Sequence, residues 1–142
     1  MSYNSANATS LVSTQGLIEP VAGAATYTTG WIDAGSACAW LAVVSAGTVG
    51  TSVDAKIEQA SDSSGTGAKD LSGSDITQLV AAGSALIQFK GEDLDLANDF
   101  THVRLSITTV GASSVASGCV QGVNARYAPL AAGSKVDETV TV

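Results

Sequence analysis

Between Ser52 and Ala60 apolar and polar positions alternate, with Val53, Ala55 and Ile57 on one side and Asp54, Lys56 and Glu58 on the other. A period of two predicts a strand with one face covered and one face wet. Phe100 to Val110 repeats the pattern more strongly: Val103, Leu105 and Ile107 oppose His102, Arg104, Ser106 and Thr108. Ala39 to Ala46 behaves differently. It is a continuous apolar run closed by Gly47, which predicts a strand covered on both faces.

Further β-favouring runs cover Ala25 to Ala34, Ala85 to Lys90 and Val115 to Tyr127. Gly118 and Gly122 inside the last run predict bulges or close backbone approach. Ser61 to Gly73 reads as a small-residue loop, Ser74 to Leu79 as a helical turn or loop edge, and Gly91 to Asn98 as a turn. No segment has a helix-length amphipathic period. The expected fold is therefore all-β: a single β-sandwich or jelly-roll-like domain of about six to eight short strands over residues 25–130. Residues 1–24 read as an N-terminal arm or loosely held leading strand, and residues 131–142 as a short C-terminal tail.

Composition sharpens this picture. Of 142 residues, 45% are hydrophobic but only 13% are charged, about half the usual charged share. Disorder pairs low hydrophobicity with high charge, so this is a folding composition. A sparsely charged surface suits a subunit that is covered in an assembly. The net charge of −7, with Lys56, Lys69, Lys90, Arg104, Arg126 and Lys135 scattered singly, argues against nucleic acid. It argues equally against an anionic membrane surface. The longest apolar stretch is too short to span a bilayer, and the first residues predict no secretory leader. Cys38 and Cys119 form no CxxC pair, and one histidine cannot complete a zinc set with them. Reduced, buried thiols are expected, with a disulfide between neighbouring strands as the alternative.

The search for chemistry yields little. Gly65-Thr66-Gly67-Ala68-Lys69 resembles a phosphate loop only superficially, since Asp70 follows the lysine and no helix opens there. Glu92, Asp93, Asp95 and Asp99 are the one candidate for a hard cation. Ala97 and Asn98 stand where an EF-hand needs an oxygen ligand and a glycine, which favours a solvated turn with capping carboxylates. His102 has no recognisable nucleophile or orienting carboxylate. Carboxylate pairs that meet only in space stay open, as does a sugar platform built on Trp31 and Trp40. Core packing is the default for both tryptophans; either one, if exposed, leads the interface candidates, with His102, Arg104 and Arg126 completing the set. The chain is expected to be no enzyme, with no catalytic residue and no cofactor.

The segment from Val53 to Leu71, a strand ending Gln59-Ala60-Ser61-Asp62 that runs into Gly65-Thr66-Gly67-Ala68-Lys69, resembles a family of small virion proteins of tailed bacteriophages. The resemblance takes in Gly30-Trp31-Ile32-Asp33, Ile76 to Leu79, Glu92 to Asp95, Phe100, Val103-Arg104-Leu105 and Ala125-Arg126-Tyr127, most of residues 30–129. It implies a capsid decoration, or cement, protein on the exterior of an icosahedral head, made in the host cytoplasm. The implied partners are the major capsid protein and further copies of this chain, with a trimer favoured. A head–tail connector or tail component is the neighbouring alternative, and a carbohydrate-binding module the alternative of another class.

Overall fold

Strands form where the alternation predicts them, and the computed structural model, which describes residues 11–125, orders nine of them into two antiparallel sheets. In chain order these are β1 (Val12–Ala22), β2 (Ala25–Thr28), β3 (Ile32–Asp33), β4 (Ala37–Thr48), β5 (Ser52–Ala60), β6 (Lys69–Asp70), β7 (Gly83–Phe89), β8 (His102–Val110) and β9 (Val115–Ala125). One sheet runs β1-β9-β4-β7, and the other β2-β8-β5-β6, with β3 also paired to β8. The expected all-β sandwich is therefore present, with eight strands from Ala25 onward and a ninth, β1, in the segment before them. The turn at Gly91 to Asn98 is made of two short 3-10 turns, Gly91–Asp93 and Leu96–Asn98.

The core lies between the sheets and is filled by the apolar halves of the alternating strands. Val53 and Ile57 of β5 and Val103, Leu105 and Ile107 of β8 meet Trp40 and Val44 of β4 and Val120 of β9, all fully buried. Burial of each such aliphatic side chain is worth roughly 1.5–3 kcal/mol. Trp40 stacks on Phe89 with ring centroids 6.3 Å apart, and its indole N–H donates to the Ala34 carbonyl at 3.0 Å. Close packing depends on glycine at two points. A Cβ on Gly118 would stand 2.8 Å from both Ile107 Cδ1 and Leu105 Cδ2, and one on Gly122 would stand 3.1 Å from the Trp40 ring. Close approach is thus what these glycines provide.

Two strand edges are irregular and are repaired by side chains. Between β2 and β3 the edge strand breaks at Thr29 to Trp31. There the Thr29 hydroxyl replaces a backbone carbonyl and accepts the Leu105 N–H at 3.0 Å. Along the other side of β5, Leu71, Ile76 and Leu79 donate their N–H groups to Ile57, Ala55 and Val53. The buried Ser74 hydroxyl accepts from the Ile57 N–H at 3.0 Å. Residues 71–79 therefore extend the sheet as a ragged edge, although they carry no regular strand period.

Of the two readings of the first residues, the leading strand is the one seen in their described part: Val12–Ala22 is paired with β9 from Val12↔Val123 to Ala22↔Val115. Register shifts between Thr14 and Gly16 and between Ile18 and Val21 interrupt its period of two, which hides the strand from pattern reading. Residues 1–10, Arg126 and the tail 131–142 lie outside the described residues.

Candidate interaction surface

A sandwich has two outer faces, and here they differ sharply in charge. The four strands β1, β4, β7 and β9 carry a single charged residue, Glu19. All the other charged side chains among the described residues lie on the second sheet or on the turns. Alternation accounts for this distribution. β5 and β8 put Asp54, Lys56, Glu58, His102 and Arg104 on the outside, whereas β4 and β9 put Ala39, Leu41, Val43, Cys119, Gln121 and Val123 there.

On the charged face the side chains are occupied by one another. Glu58 and Arg104 are direct cross-strand neighbours and form an ion pair at 2.6 Å. The Arg104 guanidinium also sits 4.5 Å from the centroid of the Trp31 ring, a cation–π contact. Trp31 is half-buried, and Gly65 lies so close to it that a Cβ there would stand 2.5 Å from Nε1. Lys56 pairs with Asp70 at 2.7 Å, and this hydrogen bond raises the lysine pKa above its ordinary value. The Asp54 carboxylate accepts from the Gln78 amide. His102 Nδ1 shares a 2.8 Å hydrogen bond with the Thr101 hydroxyl, and neither a carboxylate nor a thiol orients it among the described residues.

The acidic turn is not assembled as a cation site. Asp93 accepts from the Lys90 backbone N–H at 2.7 Å, and Asp95 accepts from Lys69 and from the Asn98 amide. The lysine hydrogen bond holds the Asp95 carboxyl below the usual carboxylate range. Asp99 closes the second 3-10 turn in a left-handed conformation, with φ 59°. Among the described residues no three His, Cys, Asp or Glu side chains converge on one point.

Of the sequence-derived interface candidates, Trp31, His102 and Arg104 cluster at one end of the charged sheet. Trp40 has no exposed surface and belongs to the core, so Trp31 and Trp40 cannot form a joint platform. Cys38 and Cys119 are free thiols, and the expectation of burial fails for both. Cys38 is exposed, and Cys119 is half-exposed on the outer face of β9, where partial desolvation raises its pKa.

What pattern reading missed is the uncharged face itself. Ala39 to Ala46 predicted a strand covered twice. Its inner residues Trp40, Ala42 and Val44 are covered by the second sheet, while its outer residues Ala39, Leu41 and Val43 are only half-buried. Leu86 of β7, beside Val43, is 66% exposed. Between β1, β9 and β4 this face holds a dimple of about 210 Å³, walled by Leu17, Val43, Cys119 and their neighbours. Such a surface can bury apolar area against another surface; Glu19, on the wall of the dimple, is its one charged group. No family model, curated protein or solved structure matches the chain.

Proposed function

We propose that this chain is a non-catalytic assembly subunit, and specifically a decoration protein on the exterior of a tailed-phage capsid. The observation that carries the reading is the outer face of the β1-β9-β4-β7 sheet, a broad, almost uncharged surface on a chain of net charge −7. Contiguous apolar surface on a soluble protein marks a place where something docks. The charged face supports the same reading from the other side, because its groups are tied up in pairs that lock the sheet instead of converging on a substrate.

The phage-specific part rests on the resemblance. Its residues meet in space: Trp31, Glu58, Gly65 and Arg104 form one contact group, and Gln59, Lys69, Asp95 and Phe100 form the next. They hold one end of the sandwich together, away from the uncharged face. Such a subunit stabilises a capsid by binding only the assembled state, so that its binding free energy adds to that of the shell. Many copies on one lattice make a modest affinity per copy effective.

The test is a gel of purified particles that compares this chain with the major capsid protein, followed by heating of particles with and without it. Decoration predicts hundreds of copies per particle and earlier rupture of bare shells. About six to twelve copies would identify a connector instead, and absence from particles, or equal heat resistance, would sink the reading.

A further inference from the structure

Leu17, Cys119, Val43 and Leu86 stand in one row across the uncharged face. Leu17 is paired with Cys119, Cys119 with Val43, and Val43 with Leu86, so all four lie at the same height along their strands. The row is not level. From β1 to β4 it borders the 210 Å³ dimple, whose wall also carries Glu19 and Pro20, and at the β7 end Leu86 projects into solvent. We infer that this face binds a second copy of the same chain about a two-fold axis parallel to the strands, with the Leu86 of each copy seated in the dimple of the other.

The symmetry follows from the strand order. Rotation by half a turn about an axis along the strands turns the sheet over and reverses β1-β9-β4-β7, while each residue keeps its height. β7 of one copy then faces β1 of the other, and knob meets dimple at both ends of the row. Such a self-complementary patch is what an isologous interface requires. The dimple is large enough, since a cavity of about 150 Å³ already admits a benzene ring.

Charge selects the second copy as occupant. Glu19, on the wall of the dimple, is the only charged residue in the four strands, and the two-fold sets the two copies' Glu19 at opposite ends of the row, so two acidic chains can meet on this face without bringing carboxylates together. A partner with a charged docking surface would leave its own charges unpaired there. The polar side chains on the face, Thr14, Ser45, Gln88, Ser117 and Gln121, each donate and accept, so they can pair with their own symmetry mates. Four strands at about 4.8 Å spacing and some seven residues of height give roughly 400 Å² per copy. That is about half of what one partner contributes to a standard interface, so weak, concentration-dependent association is expected. The biological use of the pair, as a building block on a shell, rests on the assembly reading; the pairing itself does not.

Sedimentation equilibrium of the full chain from about 5 to about 500 µM tests it. The mass should rise from 14.1 kDa toward twice that value, and Leu86→Glu, at an exposed position that leaves the fold intact, should hold it at the single mass. Leu86→Gln should weaken association by a smaller factor. In a Cys38→Ser, Cys119→Ser background, Leu17→Cys with Leu86→Cys should form a disulfide-linked dimer on oxidation, and Leu86→Cys alone should not. Within one chain these positions are three strand spacings apart, about 14 Å, beyond the reach of a disulfide.

A single mass throughout, a trimer mass, or association that survives Leu86→Glu without the Leu17–Leu86 cross-link would each overturn the proposal. So would shielding of Cys119 from a thiol reagent at concentrations where the chain is monomeric, which would mean that the chain's own terminal segments cover the face. The two readings fail separately: a monomer that still decorates particles removes the pairing alone, and a dimer absent from particles removes the assembly role alone.

Discussion

The Trp31 indole and Gly65 are held so close that a single methyl group on the glycine would stand 2.5 Å from Nε1. Gly65 also has φ +84°, a conformation that L side chains seldom adopt. Gly65→Ala should therefore lose stability both through backbone strain and through displacement of the indole, together about 1–3 kcal/mol. Urea unfolding measures the loss, and a shift in tryptophan emission should report the moved ring. Arg104→Ala, which removes the cation on the other partner of Trp31 and leaves Glu58 unpaired, should cost about 1–2 kcal/mol by the same measurement.

Gly118 lets the two sheets approach closely by having no side chain. Gly118→Ala forces a methyl group against Ile107 and Leu105 and should destabilise by about 1–3 kcal/mol. Leu105→Ala alone should also destabilise, through its cavity. The double variant should be more stable than the sum of the two losses, because each change relieves the other, and a thermodynamic cycle from thermal melts measures that coupling.

Thr29 completes a sheet ladder with its hydroxyl. Thr29→Val keeps the shape and removes the acceptor of the buried Leu105 N–H, at a cost of about 1–3 kcal/mol. Amide exchange at Leu105 should accelerate more than exchange at its neighbours in β8. Uniform acceleration along the strand would mean that the hydroxyl is dispensable there.

Stability should hold a plateau at neutral pH and fall on both sides. The Asp62 and Asp95 carboxyls are held below their ordinary value of 3.8, Asp62 by its hydrogen bonds with Thr66 and Asp95 chiefly by Lys69. Their contribution is present above the unfolded pKa and is lost as pH falls through the folded one. Lys56 is raised above 10.5 by Asp70, so its contribution is present below 10.5 and is lost as pH rises past the folded pKa. Urea midpoints across pH should show both limbs. Asp95→Asn should flatten the acid limb, and Lys56→Met the alkaline one.

The strands that could be read from the chain are those with one wet face. β5 and β8 alternate because Asp54, Lys56, Glu58, His102 and Arg104 face water, and their spans were legible nearly to the residue. β1 was hidden because its register slips twice against β9, which moves its apolar residues out of phase. In β4 the sequence overstated what one chain covers: Leu41 and Val43 are as apolar as Trp40 and Val44 but face outward. The missing clue was present as an absence of charge over Ala37–Thr48 and Val115–Ala125 together, which marks a shared face once the two strands are known to be neighbours. The row Leu17, Cys119, Val43 and Leu86 could not be seen at all, since it exists only through the pairing of strands far apart in the chain.

That pairing also sets an order of events in time. β9, the last strand described, lies between β1 and β4, so neither has its central partner until residues 115–125 have left the ribosome. Before that point β5 can pair with β8 and β4 with β7, giving a nascent chain whose first sheet lacks its centre and whose β1 has no strand partner. Long-range closure of this kind is slow and leaves apolar strands open to wrong partners in the meantime. It also acts as a check: a chain cut short before Val115 cannot build the uncharged face.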